Sequence, residues 1–440
     1  MISDFFERRD LIMNKQSILA AELKEGALDA RLTAIYGCKK AGLPQKRERL
    51  LALMDTFEKT YGAEREVGLY SAPGRTEMGG NHTDHQHGRV LAAAIDLDAI
   101  ACASKSGSMT ARVLSEGYPE IVVDLSVQEP QKEEEGTTAA LIRGVAAKIH
   151  EMGYPVSGFD ACVTSEVLSG SGLSSSAAFE VLIGVIINDM FCEGALTQVQ
   201  LAQIGQYAEN VFFGKPCGLM DQLASAVGGI VSIDFENPEK PIVNRLEYDL
   251  SSSGHALCII DSGADHADLT DEYAAIPSEM KQVAAFFGKE YLREIDFEEF
   301  WANIAKIRKQ TGDRAVLRAF HFYTDNLLAL KQAQALEKED FYVFLTLVQH
   351  SGKSSAEHLQ NLYCSSQPEA QAVVLTIAAA RRLLEGKGAV RVHGGGFAGT
   401  VQAYVPFDMT EGFRQGMESI LGEGCCHFLS VRPGGGVVIG

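Results

Sequence analysis

A loop rich in glycine and serine, SGSGLSSS at 169–176, constrains the fold of this chain more than any other feature. The residues before it, Ala161–Val167, have the composition of a buried strand, and Ala177–Asp189 after it have that of a buried helix. Glycine lets the backbone bend sharply and approach a ligand closely, and three successive serines are more than a helix cap requires. The pattern predicts a strand, a tight loop and a helix in immediate succession.

Such a loop is a natural anion site. The N-terminus of a helix leaves backbone N–H groups unpaired, and its dipole favours negative charge. Serine hydroxyls can donate to phosphate or coordinate Mg²⁺. The plainer alternative is a helix capped by serine after a flexible turn. We predict a phosphate site formed by Gly170, Ser171, Gly172, Leu173, Ser174, Ser175 and Ser176.

Two further segments imitate nucleotide motifs and are set aside. Gly352-Lys353-Ser354 resembles the end of a P-loop, but Leu347 stands where that motif needs its first glycine. The glycines at 394, 396 and 399 have the spacing of a dinucleotide fingerprint. They are followed by VQAYVP, which predicts a strand where that fingerprint requires a helix.

Composition excludes several classes of function. The formal net charge of −19 argues against a nucleic-acid partner, which needs a basic face. The nine cysteines show no zinc-type spacing, and their odd number fits poorly with a disulfide framework. No apolar run is long enough for a membrane span, and the first residues lack the pattern of a secretory signal. We therefore expect a cytoplasmic protein with reduced thiols.

The chain is long enough for two domains, and strand-like runs alternate with helical blocks in both halves, which indicates an α+β architecture. We predict a helical N-terminal extension over 1–65, a first domain over 66–240 and a second over 241–440. The boundary is placed at the proline-containing stretch Glu236–Pro241.

Three separated segments occur in the order of the signature motifs of the GHMP small-molecule kinases: SAPGRTEMGGNHTDH at 71–85, SGSGLSSSAA at 169–178 and HGGGFAGT at 393–400. A fourth, GKPCGLMDQLAS at 214–225, resembles the segment with the catalytic aspartate in the galactokinase branch. The resemblance spans about 67 to 405. It implies a first domain like domain 2 of ribosomal protein S5, a ferredoxin-like second domain, and ATP and a sugar bound between them.

By position, the resemblance makes Asp221 the catalytic base and Arg75 its electrostatic partner. A carboxylate can accept the proton of a sugar hydroxyl, and a nearby guanidinium keeps it ionised. The alternative for Asp221 is a carboxylate that caps a helix. Ser176 and Glu209 match positions that hold Mg²⁺ in the family, although Glu209 could be an ordinary surface carboxylate. Whether Asp221 removes the proton or orients the hydroxyl is left open.

The first signature of the galactokinase branch reads approximately GRVNLIGEHTDY, whereas this chain has Gly74–His85 as GRTEMGGNHTDH. His82, Asp84 and Tyr273 match residues that bind sugar hydroxyls. Asn81 replaces the glutamate that contacts the C6 hydroxyl. Asparagine can still hydrogen-bond a hydroxyl, so Asn81 is predicted to bind the sugar as well, but it carries no charge. The resemblance implies a kinase for galactose, with galacturonate or arabinose as competing substrates. Galacturonate competes because asparagine, unlike glutamate, would not repel its C6 carboxylate.

Other interpretations remain open. A kinase of the same fold could act on a non-sugar such as mevalonate or homoserine, and a sugar-sensing regulator could keep the fold without the chemistry. Arg75, Asp221 and the intact GLSSSAA run favour activity. A transition-metal site built from His82, Asp84, His85 and His87 is disfavoured, because side chains alternate in direction along an extended segment. A monomer is expected.

Overall fold

The computed structural model describes residues 14–38, 40–168, 172–264 and 269–440. Within these ranges the chain forms two β-sheets, with helices packed against both. Strand runs and helical blocks alternate in both halves, so the predicted α+β class is confirmed. Of the helices in these ranges, none is both long and apolar enough to cross a membrane.

The N-terminal part covers one face of the larger sheet. Its helices α1 and α2 end at Gly26 and Gly37, both in the left-handed conformation that glycine adopts readily. Apolar side chains of the third helix, such as Leu50 and Phe57, lie against Ile100 in the sheet. The elements are β1 (Asn14–Lys15), α1 (Gln16–Glu25), α2 (Asp29–Tyr36) and α3 (Leu43–Tyr61).

The larger sheet forms the first half of the structure, and a layer of apolar helices covers its other face. Its elements are β2 (Glu66–Gly79), β3 (Arg89–Lys105), β4 (Thr110–Ser115), β5 (Ile121–Asp124), α4 (Thr138–Glu151), β6 (Phe159–Ser165), α5 (Ser175–Phe191), α6 (Gln198–Tyr207), α7 (Met220–Val227), β7 (Ile230–Asp234) and β8 (Ile242–Leu246). Helix α5 is buried along most of its length, as its apolar sequence predicts.

The second half contains the smaller sheet, whose strands run antiparallel in the order β10-β11-β9-β12, and a set of long helices. Its elements are β9 (His255–Asp261), α8 (Thr270–Phe286), α9 (Phe297–Thr311), α10 (Asp313–Glu337), α11 (Phe341–Ser354), α12 (Ala372–Leu384), β10 (Ala389–Val392), β11 (Thr400–Pro406), α13 (Thr410–Leu421), β12 (Cys426–Leu429) and β13 (Val437–Val438). Short π-helical turns continue α6 (Ala208–Phe213) and α11 (Ser355–Leu359).

The larger sheet extends beyond the predicted limits of 66–240. Strand β8 pairs with β7, so the stretch Glu236–Pro241 is a hairpin connection within the sheet rather than a boundary. Strand β13 returns to pair with β2, and β1 pairs with the start of β2. Proline and polar residues mark hairpin turns as well as linkers, which is why the sequence alone did not separate the two.

A buried carboxylate joins three distant parts of the chain. Asp98 on β3 accepts hydrogen bonds from Tyr36 and from Arg432, both at 2.7 Å, and from Arg49 and Ser71. Burial by itself would raise the pKa of Asp98, but the charges of Arg432 and Arg49 outweigh it and hold that pKa well below its ordinary value. The N-terminal helices, the sheet and the C-terminal segment thus share one anchor.

Replacing Asp98 by Asn should lower the free energy of unfolding by about 3–5 kcal/mol, because Arg432 would remain buried with its charge uncompensated. In the wild-type protein this stabilisation should be present above the ordinary aspartate pKa of 3.8 and should be lost as the pH falls below it. Chemical denaturation followed by circular dichroism measures both effects.

Asp313→Asn is the control, because Asp313 forms an exposed ion pair with Arg308 and its loss should change stability little. Equal destabilisation by the two substitutions would contradict the anchoring role of Asp98.

Candidate active site

Arg75 and Asp221 are brought together from positions 146 residues apart. Arg75 Nε donates to Asp221 Oδ1 at 2.7 Å, and Nη2 donates to Oδ2, so the guanidinium holds the carboxylate with two parallel bonds. Arg75 follows an irregularity in the pairing of β2 with β3, and Asp221 lies in the first turn of α7. Local irregularity of this kind re-aims a side chain out of the sheet, here towards the carboxylate.

The charge of Asp221 is stabilised by this pairing. Burial raises the pKa of Asp221, but the charge of Arg75 and the hydrogen bonds from Arg75 and Ser174 outweigh it, so the pKa lies below its ordinary value. The carboxylate is therefore ionised at neutral pH and can accept a proton or orient a hydroxyl.

The predicted phosphate loop folds directly over this pair. Gly170 and Ser171 lie outside the described residues. The carbonyl oxygens of Gly172 and Leu173 both accept from Arg75, the second from its backbone N–H at 3.1 Å. Ser174 donates its hydroxyl to Asp221 and has a left-handed backbone with a φ of 60°. Helix α5 begins at the next residue, so its N-terminal N–H groups open beside the carboxylate.

Ser176 and Glu209 also lie together, as the proposed magnesium pair requires. Ser176 Oγ donates to Glu209 Oε1 at 3.3 Å, Lys215 Nζ lies 3.2 Å from the same oxygen, and Gln222 donates to Oε2 at 3.0 Å. Glu209 is only 3 % exposed, so it is not a surface carboxylate. A hydroxyl and a carboxylate are hard oxygen ligands, and Mg²⁺ takes few protein ligands when phosphates and water supply the rest.

His82 and Tyr273 meet at the glycine loop 394–396 of the second half. His82 Nε2 lies 3.0 Å from the carbonyl oxygen of Gly395, and the Tyr273 hydroxyl donates to that of Gly396 at 2.8 Å. A carbonyl only accepts, so the His82 ring carries its proton on Nε2. Its Nδ1 atom is buried without a partner among the described residues and can accept a hydrogen bond.

Asp84 approaches the segment that carries Asp221. A Cβ atom added to Gly218 would lie 2.1 Å from Asp84 Oδ2, so only glycine fits at that position. The Asp84 side chain also accepts from the backbone N–H of His85 at 3.0 Å. Asp84, predicted to bind the sugar, therefore lies beside the segment that leads into helix α7 and the predicted base Asp221.

The structure differs from the sequence prediction at Asn81. Its side chain is completely buried, and its amide group bonds to protein on both sides. Asn81 Nδ2 donates to the carbonyl oxygen of Gly394 at 2.6 Å, and Asn361 donates to Asn81 Oδ1 at 2.9 Å. Asn81 therefore joins the two halves of the structure rather than presenting its side chain to open space. A short signature motif does not show which of its side chains turn inward.

The histidines of the signature point to different neighbours. The ring of His82 lies 5.5 Å from that of His85, whereas His87 stacks on Tyr291 with the ring centroids 3.7 Å apart. In the described ranges no group of three or more His, Cys, Asp or Glu residues is suited to a metal ion.

Both segments set aside in the sequence have the predicted context. Gly352-Lys353-Ser354 ends helix α11, with no loop before it, and the three glycines at 394, 396 and 399 precede strand β11.

Lys215 was missed by the sequence analysis, although it stands in the recognised segment 214–225. Glu77 and Arg391 were also missed, because a buried ion pair between distant strands leaves no local pattern.

We expect the His82 ring to stay neutral at physiological pH. Burial and the neighbouring charge of His85 lower the pKa of His82 to about 4, because both disfavour the imidazolium. In an NMR titration its ring resonance, assigned by its loss in His82→Gln, should not shift between about pH 5 and 7, where ordinary histidines titrate. A midpoint near 6.5 would contradict the buried neutral ring.

Two family models match the chain. The galactokinase galactose-binding signature matches residues 55–105, and the N-terminal domain of GHMP kinases matches residues 140–229. A galactokinase of Streptomyces coelicolor is 31% identical over 349 residues, which cover 79% of this chain and 86% of that protein.

Solved structures show the same fold. Lactococcus lactis galactokinase complexed with galactose matches with a TM-score of 0.76 at 24% identity, over 88% of this chain and 99% of that one. Mevalonate kinase of L. major in complex with R-mevalonate matches with a TM-score of 0.57 at 13% identity, over 84% and 97% of the two chains. The predicted two-domain fold is therefore confirmed.

Proposed function

The chain belongs to the galactokinase family of the GHMP kinases and is a phosphotransferase that acts on a sugar hydroxyl, and we propose that it converts galactose and ATP to galactose 1-phosphate and ADP. The observation that carries this proposal is the identity to a galactokinase over most of both chains. The paired Arg75 and Asp221 beneath the loop 172–176 support it, because phosphoryl transfer requires positioning and charge stabilisation above all.

We propose the following roles for the chain's own residues. The N–H groups at the start of α5 and the serine hydroxyls bind the phosphates of ATP. Asp221 accepts the proton of the anomeric hydroxyl while the oxygen of that hydroxyl forms a bond to the γ-phosphorus of ATP. The bond between this phosphorus and ADP breaks, and ADP leaves. Arg75 keeps Asp221 ionised and offsets charge on the transferred group.

Residues at the sugar end act by orientation. His82 is neutral, and its Nδ1 atom can accept a hydrogen bond from a sugar hydroxyl. Asp84 lies beside Gly218, in the segment that leads to Asp221. Tyr273 lies against the glycine loop 394–396, because its hydroxyl donates to the carbonyl oxygen of Gly396. Ser176 and Glu209 would hold Mg²⁺, and the ion would supply positive charge that offsets the charge of the phosphates.

Galacturonate is the second candidate sugar, and arabinose a third. Asn81 has no charge, so the signature position that contacts the C6 hydroxyl in the family would not repel a C6 carboxylate. A regulator without catalysis is disfavoured, because Arg75, Asp221 and Ser174 form one bonded group. A cytoplasmic location is also proposed, in line with nine free thiols, and a monomer remains a prediction.

Wild-type protein should release ADP with galactose, and Asp221→Asn should lower kcat by about 10²–10⁴-fold, because the variant lacks the carboxylate that accepts the proton. A coupled ADP-release assay with galactose, galacturonate and arabinose measures both effects, with Asp313→Asn as a variant of an exposed aspartate.

The pattern of results separates the candidates. A higher kcat/KM for galacturonate or arabinose would replace galactose as the substrate. Sugar binding by wild type without ADP release would indicate a regulator.

Glu209→Gln should raise the Mg²⁺ concentration for half-maximal rate by about tenfold or more, because the amide is a weaker ligand than the carboxylate for a hard cation. The control is Glu134→Gln, which removes a carboxylate paired with Arg143 at 2.6 Å. Unchanged Mg²⁺ dependence in Glu209→Gln would rule out a direct role for Glu209.

A further inference from the structure

The first signature of this chain exchanges an acid and an amide. The galactokinase branch has Asn and Glu at the positions that correspond here to 77 and 81, as GRVNLIGEHTDY aligned with Gly74–His85. This chain has Glu77 and Asn81. The charge of the motif is therefore kept but moved by four residues.

The two exchanged residues are direct partners in the structure. Asn81 Nδ2 donates to Glu77 Oε1 at 3.1 Å and lies 3.3 Å from Oε2. Glu77 is near the end of β2, and the chain turns after Gly79 so that Asn81 comes back against it. Both side chains are buried, so their polar atoms need partners within the protein.

Arg391 on β10 compensates the charge of Glu77. Its Nη2 donates to Glu77 Oε1, and the arginine is fully buried. Burial raises the pKa of Glu77, while the charge of Arg391 opposes that rise. The pair joins the two sheets, because Glu77 lies on β2 of the larger sheet and Arg391 lies on β10 of the smaller sheet.

Asn81 passes this connection on to the sugar end of the site. It donates to the carbonyl oxygen of Gly394, and Asn361 bonds to both Asn81 and the carbonyl oxygen of Gly395. His82, the next residue, contacts Gly395 as well. A glutamate at 81 would set a second carboxylate against Glu77 and against the Gly394 carbonyl oxygen, with no added cation.

We propose that Glu77 is a positioning residue for the sugar, which together with Arg391 holds Asn81 and fixes the turn 80–85 against the glycine loop 394–396. The exchange moves the carboxylate of the signature from the position that contacts the sugar in the family to one four residues earlier, where it pairs with Arg391. The proposal rests on the proposed sugar kinase activity. It predicts that the identities of residues 77 and 81 are coupled and that their order sets tolerance for a C6 carboxylate.

Four proteins test the coupling: wild type, Asn81→Glu, Glu77→Asn and the double variant. Asn81→Glu should raise the KM for galactose by about tenfold or more, whereas the double variant should recover most of that loss, because neighbouring sites couple strongly. The KM for ATP should change little throughout, since the phosphate loop is not touched.

The preference for galacturonate over galactose distinguishes a positioning role of Glu77 from a role in stability alone, because a loss of stability would not change that preference. The double variant carries a carboxylate at position 81, as the galactokinase branch does, and this charge would repel a C6 carboxylate. Its ratio of kcat/KM for galacturonate to kcat/KM for galactose should therefore fall about tenfold or more below the wild-type ratio. Melting temperature is followed in parallel. The control Asp160→Asn removes a buried carboxylate paired with Arg65 and Arg112, and should lower the melting temperature without changing the KM for galactose.

If Asn81→Glu does not fold, Glu77→Gln decides instead, because it keeps the shape and removes the charge. It should raise the KM for galactose severalfold with little change in kcat. Additive losses in the double variant, or an unchanged KM for galactose in Glu77→Gln, would overturn the proposal. Absence of turnover in wild type would instead refute the proposed function, and calorimetric sugar affinities of the same variants would then test the coupling.

Discussion

The two parallel hydrogen bonds between Arg75 and Asp221 are the interaction on which the site depends. The Arg75 guanidinium also donates to the carbonyl oxygen of Gly172, and its backbone N–H donates to that of Leu173, so one residue positions both the carboxylate and the loop. Arg75 is buried and Asp221 is partly buried, so breaking the pair would leave the arginine charge without compensation. The geometry of loop, base and helix N-terminus is therefore coupled, and loss of any one member disturbs the others.

Acidic groups crowd the site of a chain that already carries a net charge of −19. Burial and the neighbouring charge of Glu209 raise the pKa of Glu180 well above its ordinary value. Gln222 donates to both glutamates at 3.0 Å, and Lys215 pairs with Glu209. The proposed phosphate binding would rely on local donors in these surroundings: the N-terminus of α5, serine hydroxyls, Arg75 and Lys215. A negative overall charge does not hinder a small phosphate ligand, because a few local donors supply the positive potential at the site.

The two halves of the structure are joined by polar groups that no local pattern announced. Glu77 and Arg391 form a buried pair between sheets, and Asn81 bonds across to the glycine loop 394–396. His321 Nε2 lies 2.7 Å from the carbonyl oxygen of Asn81, which adds a helix of the second half to the same group. Such networks specify one relative arrangement, because every unpaired member would be a buried polar group without a partner. The sugar end of the site therefore depends on residues far from it in sequence.

The sequence alone predicted a strand before the loop at 169–176 and a buried helix after it, because apolar periodicity is a local signal. The resemblance to the family's motifs, rather than any local pattern, predicted that Arg75 and Asp221 act together. Ser176 and Glu209 were also assigned together from motif positions. Only the tertiary structure showed that β8 and β13 belong to the larger sheet, that Asn81 turns inward and that Glu77 faces Arg391. Those facts depend on which backbone edges and buried charges meet after folding, and a single sequence holds no local record of contacts between residues hundreds of positions apart.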